Sequence, residues 1–339
     1  MIENAGGRPL AGRREESVPA NADTSGHDIV VVGASAGGVE ALRALVAALP
    51  GNLRASLFVV LHIAPLATSV LPKILATAGD LPAVHAEHGQ AIRPSTIYVA
   101  PPDRHMLLEP ERIRLTTGPR ENGHRPAVDP LFRTAAASYA ARVVGVVLSG
   151  VLDDGTAGLS VIKERGGATL VQEPEEALYP MMPTSAIEGV QPDRVLGARA
   201  LAAAIVELAQ TPVDGEAAPR PLDEPVDTDT LVEIDRSASK DPRPGTPSGF
   251  SCPECGGGLW ETTEGGVTRF RCRTGHGYAF ESLLADQGDA VEAALWSALR
   301  TLEERARSPG RWGCASRAVA AAPRRRVGSG GPDRPSSRR

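Results

Sequence analysis

Two periodicities alternate between residues 29 and 208. Runs apolar on both faces, at 29–32, 57–61, 97–100, 143–148 and 168–171, read as buried strands. Between them, residues 39–49, 70–78, 130–140, 158–164 and 198–208 repeat apolar positions at helical spacing. Such alternation predicts an α/β fold: a mainly parallel, doubly wound sheet with helices on both faces and right-handed crossovers. A shorter run at 112–115 reads as an edge strand pairing antiparallel with 97–100.

The pattern breaks after residue 211. Residues 212–249 are rich in Pro, Asp, Glu, Thr and Ser and read as a linker. A small unit follows at 250–307, ending in a helix over roughly 281–305. Its Leu284, Val291, Leu295, Ala298 and Leu302 recur at heptad-like spacing, which suits either a short coiled coil or packing on the small unit. Residues 1–27 read as a disordered arm and 308–339 as a disordered basic tail. The domain scheme is therefore an arm, a main domain at 28–211, a linker, the small unit with its helix, and a tail.

Composition narrows the class. With 339 residues, 42% hydrophobic, 23% charged and a net charge of −5, the chain does not read as a nucleic-acid binder. It contains no apolar run long enough to predict membrane insertion and no signal-peptide pattern, so a cytoplasmic location is expected.

Chemistry concentrates at the ends of the predicted strands. The first strand runs into Gly33-Ala34-Ser35-Ala36-Gly37-Gly38 and then a helix. The glycines do not fit a dinucleotide fingerprint, and no Lys follows to complete a phosphate loop. A serine in a tight strand-to-helix turn is how a nucleophile is presented. It needs a base and an orienting acid. His62 ends the second predicted strand, and Asp153 and Asp154 follow the strand at 143–148. In a parallel sheet these ends share one edge. His105 and His124 are rival bases in polar loops, and Arg125 and Arg133 read as surface cations.

Six ordered motifs carry a resemblance: Gly33–Gly38, Leu61-His62-Ile63-Ala64-Pro65, residues 99–105, His124-Arg125-Pro126-Ala127-Val128-Asp129, residues 148–158 and Met182-Pro183. Over residues 26–210 the chain resembles the catalytic domain of chemotaxis protein-glutamate methylesterases. The resemblance implies hydrolysis of glutamate γ-methyl esters on chemoreceptor cytoplasmic helices, with glutamine deamidation, and no cofactor for catalysis. It implies Ser35 as nucleophile, His62 as base and Asp154, not Asp153, as orienting acid. It implies oxyanion contacts from the backbone N–H groups of Ala36 and Val151. Position 36 is Ala where chemotaxis members carry Thr, and Val151 stands where Met is common. A phosphoacceptor receiver domain is not expected in the residues before the esterase domain, nor is regulation by phosphorylation within this chain. The expected partners are methylated chemoreceptor-type helices, with a cognate methyltransferase or sensor kinase as further candidates. The alternatives are a signalling scaffold that keeps the fold and binds through its small unit, or a hydrolase of other esters.

The small unit carries its own signal. Cys252 and Cys255 form a C-x-x-C pair, and Cys272 and His276 a C-x-x-x-H pair sixteen residues on. Two close pairs flanking a hairpin that turns at Gly265-Gly266 predict a Cys3His structural zinc site. A redox pair or unligated cysteines are the alternatives. Cys314 lies apart, in the tail.

Overall fold

The computed structural model describes residues 26–213 and 245–307. The arm, most of the predicted linker and the tail with Cys314 lie outside these residues. By internal contacts, the described residues through Ala285 belong to one compact unit and those from Asp286 to Arg307 to a second.

The first unit is built on seven parallel strands. They are β1 (Ile29–Ala34), β2 (Ser56–Leu61), β3 (Ala83–His85), β4 (Ile97–Val99), β7 (Val143–Val147), β8 (Ala168–Gln172) and β9 (Arg194–Leu196), in the order β3-β4-β2-β1-β7-β8-β9. The sheet is the parallel, doubly wound one the alternation predicts. Helices α1 (Gly38–Val46), α2 (Leu71–Ala78) and α6 (Ala198–Gln210) supply residues to one apolar core, together with Val30, Val32 and Ala34 of β1. Helices α3 (Val128–Tyr139), α4 (Thr156–Glu164) and α5 (Met181–Val190) supply residues to the other, with Ile29 and Val31. Period-two alternation thus sends β1 side chains into two dry layers, which is why the strand is apolar throughout.

The structure differs from the pattern reading at three places. The strand at 112–115 does not join β4. As β6 (Arg112–Thr116) it pairs antiparallel with β5 (His105–Glu109) in a separate two-stranded sheet. The intervening residues 110–111 make a tight turn, so the nearer segment wins the pairing. Helix α5 was hidden by Pro183 and Gly189, which lower helical propensity within it. The three-residue strands β3 and β9 are the outermost of the sheet and too short to leave a periodic signature.

The Cys-rich segment folds as a four-stranded antiparallel ribbon of β10 (Thr246–Ser251), β11 (Gly258–Glu264), β12 (Val267–Cys272) and β13 (Gly277–Tyr278). The hairpin turns at Gly265 (φ 57°) and Gly266 (φ 75°), the two positive angles of a two-residue hairpin loop. The ribbon has its own small core of Cys252, Leu259, Phe270, Cys272, Tyr278 and Leu283. Its hairpin tip also reaches α4, where Ser160 Oγ donates to Gly265 O. Helix α7 (Phe280–Arg307) begins in the first unit, and Val291, Leu295, Trp296 and Leu302 farther along it are exposed. No helix among the described residues is long and apolar enough to cross a membrane.

Candidate active site

The ends of β1, β2 and β7 open on one edge of the sheet, and three side chains meet there. His62 Nδ1 lies 3.1 Å from Ser35 Oγ, and His62 Nε2 lies 2.7 Å from Asp154 Oδ2. The ring therefore turns its Nδ1 toward the hydroxyl and its Nε2 toward the acid. With the proton on Nε2, Nδ1 is free to accept from Ser35.

The turn that carries Ser35 is tightly held. Ser35 N–H donates to Ser149 O (3.0 Å), and Ser149 Oγ donates to Ala36 O (2.8 Å) and accepts from Tyr179 N–H. Gly37 caps α1 with φ 70°, where a side chain would be strained and would press on Leu178. A side chain on Gly150 would collide with Met182 and come within 2.9 Å of Ser35 Cβ, so glycine allows the 149–152 loop to lie against the hydroxyl-bearing residue. Neither the Ala36 nor the Val151 N–H has a hydrogen-bond partner among the described residues.

Asp154 is nearly sealed, with its side chain 2% exposed. It accepts from His62, from Val128 N–H (2.7 Å) and Asp129 N–H (3.2 Å) in the first turn of α3, and from Asn122 Nδ2 (2.8 Å). Burial pushes its carboxyl up, but the hydrogen bond and charge of His62 outweigh this, aided by Val128 N–H and His124. Asp154 is held well below the usual carboxylate range. Asp153 turns elsewhere. It accepts from Glu281 N–H (3.1 Å) and from Ser282 Oγ, capping α7, and burial pushes its carboxyl up.

The rival histidines separate. His105 is buried with Nε2 on Pro119 O (3.0 Å) and Nδ1 on Ala127 N–H (3.3 Å). His124 stacks on His62 with ring centroids 3.7 Å apart. Arg133 is not a surface cation. It is buried against Glu121 (2.6 Å) and Glu264 (3.2 Å), because α3 lies beneath the ribbon. Arg125 is bound to Asp103 (2.6 Å).

Sequence reasoning missed the polar group behind Asp154. Glu121, Asn122, Asp129 and Arg269 are all buried there, joined by ion pairs and hydrogen bonds. Burial pushes Glu121 up, but Arg133, Arg271 and Arg269 together hold it well below its ordinary value.

A second cluster gathers Cys252, Cys255, Cys272 and His276, with donor atoms all within 4.8 Å of one another. Cys255 Sγ and Cys272 Sγ are 3.6 Å apart, too far for a disulfide. His276 Nδ1 lies 3.6 Å from Cys252 Sγ and 3.5 Å from Cys272 Sγ. Tetrahedral edges around a zinc-sized ion are about 3.8 Å between sulfurs and about 3.6 Å from sulfur to nitrogen. His276 Nε2 sits 3.2 Å from Glu254, the outer partner a metal-bound imidazole ordinarily has. The donors fit a metal ion.

Residues 30–205 match the family described as CheB methylesterase. A putative protein-glutamate methylesterase/protein-glutamine glutaminase of Leptospira interrogans is 35% identical over 54% of this chain and 96% of its own length. A protein-glutamate methylesterase/protein-glutamine glutaminase of Anaeromyxobacter dehalogenans is 39% identical over 59% of each chain. The crystal structure of the Thermotoga maritima CheB methylesterase catalytic domain superposes with a TM-score of 0.52 at 34% identity, covering 53% of this chain and 98% of that one. The match spans nearly all of the Leptospira relative and of the Thermotoga domain, and about six tenths of the Anaeromyxobacter one. By the extent of that match, the chain belongs to the CheB methylesterase family.

Proposed function

We propose that this protein hydrolyses glutamate γ-methyl esters, and deamidates glutamines, on chemoreceptor-type helices. The observation that carries the reading is the unbroken run of hydrogen bonds from Ser35 Oγ through His62 to Asp154. Ser35 attacks the ester carbonyl while His62 Nδ1 takes its proton. The buried Asp154 holds Nε2–H and stabilises the imidazolium. Backbone N–H groups of Ala36 and Val151 receive the oxyanion, each worth about 3 kcal/mol in comparable sites. Methanol, or ammonia from an amide, departs with the proton from His62. Water activated by His62 then cleaves the acyl-enzyme.

A macromolecular substrate is supported by the rim. Leu178, Tyr179 and Met181 are exposed beside the Ser35 turn, an apolar border suited to a helix face. Zinc is the metal assigned to Cys252, Cys255, Cys272 and His276, where it stabilises the ribbon and touches no reacting atom.

The test is methanol release from methylated receptor fragments. Ser35→Ala, His62→Ala and Asp154→Asn each lose at least about a thousandfold in rate. Full activity in His62→Ala removes the assignment of the base. Ester turnover confined to small esters moves the protein to a different substrate class.

A further inference from the structure

The ribbon reaches the acid behind His62 through one buried side chain. Arg269 stands on β12 with its side chain 1% exposed. Its Nη1 donates to Asp129 Oδ2 (2.6 Å) and Asn122 Oδ1 (3.1 Å), and its Nη2 to Glu121 Oε2 (2.9 Å). Asn122 then donates through Nδ2 to Asp154 Oδ1 (2.8 Å) and to Asp129 Oδ2 (3.1 Å).

The ribbon grips Asn122 at two further points. Ala279 N–H donates to Asn122 Oδ1 (2.7 Å), and Asn122 N–H donates to Gly277 O (2.7 Å). An amide can turn about its last torsion and exchange its oxygen for its nitrogen. Two ribbon donors on Oδ1 forbid that exchange here. They leave Nδ2 aimed at the carboxyl groups of Asp154 and Asp129. The same guanidinium supplies the cation nearest Asp129, which lies against Asp154 and shares the Asn122 amide with it. Without Arg269, two buried acids would face one another across a single amide whose oxygen is held by the Ala279 N–H alone.

We propose that Arg269 is a positioning residue for the esterase reaction: acting through Asn122 and Asp129, it fixes the Asp154 carboxylate behind His62, so that the reactivity of Ser35 depends on the docked ribbon. The inference rests on the reading of Ser35, His62 and Asp154 as the triad. It makes the ribbon part of the catalytic machinery rather than an appendage to it.

The test avoids the natural substrate. The full-length protein is labelled with a fluorophosphonate, which reports Ser35 nucleophilicity directly, with Ser35→Ala as the blank. In parallel, proton NMR follows the downfield resonance of the His62–Asp154 hydrogen bond. Arg269→Met is expected to slow labelling by ~10-fold or more, the scale of loss when a catalytic group is slightly misplaced, and to shift or erase that resonance. Arg269→Lys, which restores the cation but not the fork, falls between Arg269→Met and wild type. If Arg269→Met does not fold, Arg269→Lys decides alone: slower labelling with a displaced resonance supports the role, and wild-type behaviour overturns it. A lower melting temperature with unchanged labelling also overturns it, because Arg269 would then serve only the fold. If the wild type itself is not labelled, the triad reading fails and takes this inference with it.

Discussion

The imidazole of His124 lies face to face on that of His62, centroids 3.7 Å apart and planes inclined by 17°. Burial pushes His124 down to about 4, and the neighbouring His62 pushes it the same way. It is therefore neutral from pH 5 to 8 and sets no charge against the imidazolium that the proposed mechanism forms on His62. A flat, uncharged ring suffices at this position. His124→Phe keeps a ring in the stack and should hold activity within ~5-fold, the full worth of a stack of about 1 kcal/mol. His124→Lys brings a fixed cation to the same place. At about 4 Å and an effective dielectric of about 20 the repulsion is ~4 kcal/mol, so a loss of at least ~10-fold is expected even after the side chain swings toward water. Steady-state rates of the two variants check this, and equal rates would remove the electrostatic argument.

Adjacent acids divide two tasks. Asp154 bonds to His62, while Asp153 accepts from the first turn of α7. Asp154→Asn should cost about 10³–10⁴ in rate, as loss of an orienting acid does elsewhere. Asp153→Asn keeps an acceptor for Ser282 and Glu281 and should cost a few-fold at most. Its larger effect falls on the attachment of α7, read as faster trypsin cleavage within residues 269–307.

Much of this was legible in the chain because it is local. Strands apolar on both faces, glycines around Ser35, and a His and an Asp after neighbouring strands each leave a mark within a few residues. Arg269 left a weaker mark. Alternation on β12 puts Phe270 and Cys272 into the ribbon's own core and turns Arg269 and Arg271 the other way. No spacing rule says that this outer face meets Glu121 and Asp129, about 140 residues earlier. Arg133 was misread for the same reason, since a cation on α3 looks solvated until the ribbon covers it. Partnerships between distant segments are fixed by docking, and the pattern along either segment does not carry them.

The exposed apolar rim gives a prediction about substrate size. Leu178 is 67% exposed and packs beside Gly37 of the Ser35 turn. A charge there should weaken docking of an apolar helix face more than it weakens attack on a small reagent. Leu178→Asp is expected to lower kcat/KM for a methylated receptor fragment by ~10-fold, on the scale of about 1.4 kcal/mol of lost binding. Fluorophosphonate labelling should fall much less. Equal losses in both would show that Leu178 shapes the turn itself.

The metal assignment predicts a stoichiometry. One zinc per chain should copurify and be read by elemental mass spectrometry. Cys255→Ser, which changes the exposed member of the set, should lose it. On that assignment the ion supplies folding free energy to a small ribbon core, so chelation should expose β12 and β13 to hydrogen exchange. Labelling of Ser35 should slow with it, since Arg269 and Gly277 lie on those strands. A metal-free protein with full exchange protection in the ribbon would refute a structural role for the ion.

Asp129 gives a pH dependence whose sign is opposite to that of an ordinary paired carboxylate. Burial pushes it up from 3.8 to about 7 and Asp154 adds to the rise, while Arg269, Arg133 and the Gly158 N–H oppose it. Below about pH 4 the folded and unfolded chains both hold the proton. Between about 4 and 7 the folded chain holds it and the unfolded chain has released it, so this group's contribution to stability declines as pH rises and is lost above about 7. Asn at this position does not titrate. The ion pair with Arg269 that it forgoes involves a guanidinium charged throughout this range, so Arg269 adds no slope of its own. The stability of Asp129→Asn relative to wild type should therefore climb from pH 4 to pH 7 and level off above, whatever its sign at pH 4. Urea unfolding at pH 4.5, 6 and 7.5 measures the climb. A flat difference would mean that Arg269 and Asn122 keep Asp129 ionised across the range and that burial does not dominate at this carboxyl.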